Sequence, residues 1–549
     1  MCRAFAVKLT VSTLAKEDIA DTTDEGLRKQ VASLSQELKD VKARNAWLEE
    51  QFRLNRHRQF GASSEKTVPA DSAGQQALAF NEAESLADAD APEPELEVTA
   101  PLKRRVKTKG RREQQLKDLD VETITYSLPP EQKNCPQCGD TLHKMSEEVR
   151  EEIKLVPAKV IVVRHVRDVC ACRNCQKNEV KTPVVTATMP KPAFPASLAS
   201  PSLVAYMITQ KYADGMPLYR QEQSCLGLGS LVSRQTMANW IIRGATDWLT
   251  PLYERMKSEL LKRDHAQSDD TTVQVLHEPG RAAQTTSYMW LYRSGRDGPP
   301  IVLFEYQQTH RWDHPKTFLK DFKGYLQVDG FEGYGHISTD IILVGCWAHV
   351  RRKFVEALAV LPADLRNDEK KKKSTVAQVG LDFCNLLFAV DSKLKDATAE
   401  ERHTARLIQS VPVLDKMRLW LDEVGAVLPK SKTGEAIGYC RNQWKALTAF
   451  LADGRLEIDN NRSERSIKPF VIGRKNWLFA NTPKGATASA VIYSIIETAK
   501  ENGLNPFAYL QFVFETMPSI GASDNTGFDA ILPWSHSLPN SCRAINRKA

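Results

Sequence analysis

TTVQVLHE (271–278), SYMWLYRSG (287–295) and PIVLFEYQQ (300–308) are short β-type runs set apart by Gly and Pro, and they read as a three-stranded meander. A helical stretch follows, HRWDHPKTFLKDF (310–322), then GYLQVDG (324–330) as a strand ending at Asp329, then the apolar run IILVGCWAHV (341–350). Three antiparallel strands, a helix, and two further strands alternating with helices is the order of a ribonuclease-H-like sheet. In such a sheet the first and fourth strands lie side by side, which predicts that Asp269, in SDDTTVQVL (268–276), meets Asp329 at one edge of a site. A third acid is sought on a helix packed beside them, and Glu464 in EIDNNRSERSIKPF (457–470) fits. Carboxylates suit Mg²⁺ or Mn²⁺, which prefer oxygen ligands. Two such ions about 3.5–4 Å apart clamp the attacking and leaving oxygens of an in-line phosphoryl displacement. Each acid also has a plain reading. Asp269 and Asp270 can cap a strand start, Asp329-Gly330 can be a turn, and Asn461 to Glu464 can be a capping box. Glu457 is an alternative third acid.

Outward from this core, about 100 residues separate the last strand from Glu464, and they read as a helical insertion at about 355–455. Trp420 and Trp444 fall within it. Trp444 can stack on an unpaired base, but a tryptophan at helical spacing is more often core. Cys346-x-x-His349 reads as packing, followed by Arg351, Arg352 and Lys353 as phosphate contacts. Lys468, Arg474 and Lys475 add positive charge after Glu464, suited to a DNA backbone.

Upstream, residues 190–262 read as helical. PSLVAYMITQKYADGMPLYRQEQSCL (201–226) is followed by the turn Gly227-Leu-Gly229 and a second helix, SRQTMANWIIRGATDWL (233–249), with Ser233 as its N-cap. A helix, Gly turn and helix with Arg234, Gln235 and Thr236 at the front of the second helix predicts a helix-turn-helix on DNA. Before it, in a module at 119–185, Cys135-x-x-Cys138 and Cys172-x-x-Cys175 can clamp one Zn²⁺ as a structural, ribbon-like site. The stretch EEVREEIKLVPAKVIVVRHVRDV (147–169) between the pairs reads as two strands turning at Pro157. Cys170 is a spare thiolate; His143 and His165 are weaker ligand choices.

The N-terminal third is of another kind. Leu27, Val31, Leu34, Leu38, Val41, Asn45, Leu48 and Phe52 alternate at spacings of four and three, a heptad pattern within residues 25–60. Asn45 at an a position favours pairing with its own copy. The competing reading is an amphipathic helix packed on its own chain. Residues 61–118 read as a disordered linker, acidic from Glu82 to Glu97 and then basic through Arg104, Arg105, Arg111 and Arg112, a block suited to phosphates.

Composition bounds these readings. A chain of 549 residues is too long for one core. A net charge of +7 permits nucleic-acid binding without requiring it. No run of about 18 apolar residues marks a membrane span. Five of the eleven cysteines cluster between 135 and 175 with no export signal ahead of them, which points to metal binding in a reducing, cytoplasmic compartment.

LEEQFRLNRHRQFGASSEK (48–66), CPQC with CRNC, DGFEGYGH (329–336), GCWAHVRRKF (345–354) and DGRLEIDNNRSERSIKPFVIGRKNWLFA (453–480) together resemble the large transposase of the insertion-sequence-66 family, from about residue 25 to 545. The resemblance implies a DDE transposase with a leucine-zipper-like N-terminus, a zinc-finger module, a helix-turn-helix, a ribonuclease-H-like core at 263–502 and a C-terminal element at 503–545. That element holds NPFAYLQFVFETMP (505–518) and ILPWSHSLP (531–539). By match of motif, Asp269, Asp329 and Glu464 take the catalytic roles. The family usually reads Asp-Glu-Thr where this chain has Asp269-Asp270-Thr271. The resemblance also implies double-stranded DNA partners (element ends and target), small accessory proteins of the same element, and a bacterial, nucleoid-associated location. A non-catalytic zinc DNA-binding protein is the alternative, and a structure-specific nuclease without joining activity is a third reading.

Overall fold

The computed structural model describes residues 24–60, 163, 165, 169–171, 184–186 and 191–544, apart from 229–231, 331, 426 and 522–523. Cys135, Cys138, Cys172, Cys175 and the basic block at Arg104, Arg105, Arg111 and Arg112 lie outside them, as do the whole 61–118 segment and most of the two strands expected before Cys170.

The architecture is mixed α+β around one five-stranded sheet. Strands β3 (His265–Gln274), β4 (Thr286–Ser294) and β5 (Val302–Gln307) form an antiparallel meander, and β6 (Gly324–Gln327) and β7 (Ile341–Val344) add in parallel on the other side of β3, giving the order β5-β4-β3-β6-β7. Two short strands upstream, β1 (Val169–Ala171) and β2 (Val184–Thr186), pair antiparallel.

The first core strand departs from the sequence expectation. It starts at His265 rather than near Thr271, so Asp269 sits mid-strand. Its polar first half becomes central strand because its side chains are satisfied. Gln267 Nε2 donates to Gln327 Oε1 at 3.0 Å and to Glu457 Oε2 at 2.9 Å, and Ser268 Oγ donates to Leu291 O at 3.1 Å. Buried polar groups with partners cost little, but hydrophobic periodicity does not register them. The run at 341–350 also divides. Its first four residues are β7, and from Trp347 the chain is helix.

The exposed edge of β5 is closed by a helix. The α-helix Pro483–Glu501, buried continuously from Ala488 to Ala499, lies along it, where Ser494 Oγ accepts from Phe304 N at 2.7 Å and Thr498 Oγ1 accepts from Val302 N at 2.9 Å. Hydroxyls thus satisfy the edge amides that a bare strand would offer to another chain. Arg293, 1% exposed on β4, binds Glu501 through Nη2 at 2.7 Å and the Arg462 carbonyl at 3.2 Å, fastening two helices to the sheet.

Upstream of the sheet, the stretch expected as one helix over 201–226 is two, Pro201–Tyr212 and Leu218–Gly227, broken at Gly215 (φ +68°) and Pro217. The next, Arg234–Gly244, has Ser233 as its N-cap, with Ser233 Oγ accepting from Thr236 N at 3.2 Å. It runs through a π-turn at Ala245–Leu249 into Thr250–Leu261.

Between β7 and the Glu464 helix, helices including Trp347–Ala359, Val376–Lys393, Ala399–Gln409, Val411–Glu423 and Lys432–Thr448 enclose their own core around Trp347, Phe354, Met417, Cys440 and Phe450. Trp444 packs against this core, edge-on to Trp347 at 6.3 Å and under Arg418, so its structural role is packing.

The N-terminal helix α1 (Asp24–Phe60) has two differently used faces. Glu50 accepts from Lys432 N at 2.6 Å and Arg53 Nε donates to Val360 O at 2.9 Å, docking one face on the insertion. The heptad side chains Val31, Leu34, Leu38, Val41, Leu48 and Phe52 stay exposed. No helix among the described residues is long and apolar enough to cross a membrane.

Candidate active site

Register sets two of the acids side by side. Gln267 of β3 pairs with Gln327, the last residue of β6, and Asp269 and Asp329 each lie two residues further along the chain. The side-chain period of two returns both acids to the face on which the two glutamines touch. Asp329 stands just past the end of β6, where Val328 N still bonds Val344 O at 2.9 Å. Its carbonyl accepts from Tyr439 Oη at 2.6 Å, and Gly330 follows at φ +99°. A Cβ at Gly330 would lie 2.6 Å from the Tyr439 hydroxyl, so this turn requires glycine.

Glu464 comes from the first turn of the α-helix Asn461–Trp477. The start of that helix is pinned to the sheet. Asn460 Nδ2 donates to Ser268 O at 3.2 Å, Asn460 N to Cys346 Sγ at 3.2 Å, and Ser463 Oγ to Gln267 Oε1 at 3.0 Å. The N-cap is Asn460 and it makes no side-chain cap bond, so the capping-box reading of Asn461 to Glu464 is set aside. Glu464 Oε1 instead accepts from Arg352 Nη2 at 3.1 Å.

Electrostatics tie the three acids together. Asp269 keeps some exposure, yet burial pushes its carboxyl well above the ordinary 3.8, and the charge of Asp329, then those of Asp270 and Glu464, push the same way. Carboxylates near enough to raise one another's pKa in this way are the kind of oxygen donor that divalent cations take. Among the described residues, the one group of three ligand atoms within 4.8 Å of one another is elsewhere, at Asp264, His265 and Asp297. The ligand atoms of Asp269, Asp329 and Glu464 do not all come that close to one another.

The alternatives separate by partner. Asp270 Oδ1 bonds His310 Nε2 at 3.0 Å, and that bond, against some burial, holds the imidazole pKa above its ordinary value. His310 stacks on Tyr288 at 4.5 Å and Trp290 at 5.2 Å. Glu457 is committed to Arg296 at 2.7 Å, Gln267 at 2.9 Å and Arg462 at 3.3 Å. Burial works to raise its pKa, but the charges of Arg462 and Arg296 and the Gln267 amide hold it below the ordinary value. Cys346 is fully buried, and burial pushes its thiol up to about 12, which suits packing rather than metal binding. His349 is held below its ordinary value by burial and Arg352, against the pull of Asp329 and Glu464.

The expected DNA contacts fall into two groups. Arg352 turns to Glu464, and Arg474 Nη1 donates to Thr272 Oγ1 at 3.0 Å. Arg351 Nε bonds Asn385 Oδ1 at 2.9 Å on the surface, Lys468, Lys475, Arg234 and Gln235 are exposed, and Thr236 is half-buried. Gln267, Gln327, Glu457, Tyr439 and His310 were not singled out from sequence as partners of the acids. One signal was there to find, since Gln267-Ser-Asp269 and Gln327-Val-Asp329 repeat the same Gln-x-Asp spacing on both strands.

Because the folded pKa of Asp269 is raised, its contribution to stability is full below about pH 3.8 and is lost as pH climbs through the folded value. Asp269→Asn removes that penalty and keeps an acceptor for the Asp270 amide (N to Oδ1, 2.9 Å). Without added Mg²⁺ or Mn²⁺, the variant is expected to melt above wild type at neutral pH and to lose that advantage toward about pH 4. Thermal unfolding across pH checks this; a variant melting lower at pH 7 contradicts it.

Comparison with known proteins agrees on one family. The model described as "Transposase IS66 family" matches residues 196–488, "zinc-finger binding domain of transposase IS66" 132–176, "IS66 C-terminal element" 494–534 and "Transposase C of IS166 homeodomain" 47–124. The chain is similar to three uncharacterized proteins of Sinorhizobium fredii (strain NBRC 101917 / NGR234). It is 30% identical to y4jD over 74% of this chain and 79% of the relative. It is 29% identical to y4hP over 76% and 75%, and 30% identical to y4qI over 96% of each. With more than half its length matched by one family model, and a zinc-finger module matched ahead of it, the chain belongs to the IS66 transposase family.

Proposed function

We propose that this transposase cuts and joins DNA strands at Asp269, Asp329 and Glu464, on a ribonuclease-H-like core, with Mg²⁺ or Mn²⁺. The observation that carries the reading is the register of β3 against β6, which sets Asp269 beside Asp329, together with the charge that Asp329 and Glu464 impose on Asp269. The strand order, with a meander on one side of β3 and two parallel strands on the other, supports the fold assignment. Divalent cations supply Lewis-acid activation of the attacking and leaving oxygens. The chain's own residues do the rest. Asp269 and Asp329 present carboxylates from one sheet face, and Glu464 closes over them from its helix. The Gln267–Gln327–Glu457 network keeps strands and helix in register. Arg352 balances Glu464 and Arg474 ties the helix to Thr272, while the exposed Lys468 and Lys475 on the same helix serve the DNA backbone.

The upstream modules serve recognition in this reading. Cys135, Cys138, Cys172 and Cys175 hold Zn²⁺, and Arg104, Arg105, Arg111 and Arg112, with Arg234, Gln235 and Thr236, engage the terminal inverted repeats. The exposed heptad face of α1 pairs with a second copy, its other face being already docked. Small accessory proteins of the same element complete the assembly, which acts on the nucleoid.

Labelled element-end duplex, a supercoiled target and Mg²⁺ test the reading directly. The expected product is a cleaved 3′ end joined to target. Binding without cleavage would favour a non-catalytic zinc DNA-binding protein, and cleavage without joining a nuclease.

A further inference from the structure

The helix that carries Glu464 ends in a strained, exposed apolar turn. Leu478 has φ +63° and ψ −51°, and Phe479 N bonds back to Trp477 O at 2.8 Å, closing a γ-turn at positive φ that a leucine adopts only under constraint. The constraint is visible on both sides. Leu478 N bonds Arg474 O at 2.7 Å within the helix end. Just beyond the turn, Ala480 N bonds Gln274 O at 2.9 Å, Leu276 N bonds Ala480 O at 3.0 Å and His277 N bonds Asn481 O at 3.0 Å, so the chain pairs with the continuation of β3. The turn is therefore tied at once to the Asp269 strand and the Glu464 helix. What it holds out is apolar. Leu478 is 64% and Phe479 42% exposed, and Ile472 is exposed one and a half turns earlier. The exposed lysines 468, 475 and 484 stand around it in sequence.

A soluble fold gains nothing from a strained backbone that displays Leu and Phe to water. A duplex offers such a pair a destination, because apolar side chains wedge between base steps while flanking cations hold the phosphates. We propose that Leu478 and Phe479 form a wedge that enters the DNA duplex and unstacks a base step beside the strand-transfer site. This rests on the reading of the acid trio as a DNA-processing centre. The thirteen residue steps from Glu464 to Trp477 span about 20 Å of helix. The unstacked step thus lies within about six base pairs of the reacting phosphate, at about 3.4 Å per step.

The experiment scans 2-aminopurine through the terminal base pairs of the element-end duplex and adds full-length protein without Mg²⁺. Wild type is expected to raise the fluorescence at one step in that window. The L478A/F479A double variant is expected to lose the rise and to bind a duplex mismatched at that step about tenfold more weakly than wild type does. Leu478→Gly, which relaxes the backbone and should melt no lower than wild type, is expected to reduce the rise as well. A rise that survives in the double variant, or DNA binding with no rise at any position, overturns the wedge and leaves the transposase reading standing. Failure of wild type to bind the duplex at all overturns both.

Discussion

Asp329→Asn is expected to lower strand cleavage by about a thousandfold or more while leaving DNA binding within a few-fold of wild type. Asparagine keeps the size of the side chain and the Tyr439 bond, because that bond goes to the main-chain carbonyl of residue 329. What it removes is the charge that faces Asp269. If that charge holds a cation, the loss is several kcal/mol of transition-state stabilisation, and each 1.36 kcal/mol is about tenfold in rate. Cleavage of labelled element-end duplex, with retention measured on the same DNA, reads the two effects apart. Cleavage within about tenfold of wild type would take Asp329 out of the chemistry.

Glu457→Ala should act on stability instead. Its carboxylate is 10% exposed and joins the Arg296 and Arg462 side chains and the Gln267 amide, which in turn bonds Gln327. Removing it strips the charge partner from two arginines that are themselves about a third exposed, at 33% and 28%, and water recovers part of the loss. The expected cost is about 2–3 kcal/mol, below the full value for a wholly buried pair. Chemical denaturation should show a lower midpoint at unchanged slope. An unchanged midpoint combined with lost Mg²⁺ dependence would make Glu457 a ligand rather than an anchor.

The strands were legible where side chains alternate or cluster as apolar residues. SYMWLYRSG and PIVLFEYQQ fall within two residues of β4 and β5 at either end. They were illegible at the start of β3, because Gln267 and Ser268 are buried by hydrogen bonds rather than by hydrophobicity. The break between the Pro201 and Leu218 helices was missed for a different reason. Apolar residues continue at helical spacing across it, and the interruption is made by Gly215 and Pro217. For the acids, the motif placed each residue on its element, but the partners that separate Glu464 from Glu457 come from distant parts of the chain. Arg352 lies 112 positions before Glu464, and Gln267 190 before Glu457. No local pattern in the sequence encodes such pairings.

The acid trio is tested most directly by comparing Mg²⁺-dependent cleavage and joining by wild type, Glu464→Gln and Glu457→Gln on one labelled element end, at a temperature where all three are folded and bind it. The account predicts that Glu464→Gln loses both steps while Glu457→Gln keeps them. The reverse pattern, or equal activity in Glu464→Gln and wild type, would contradict it.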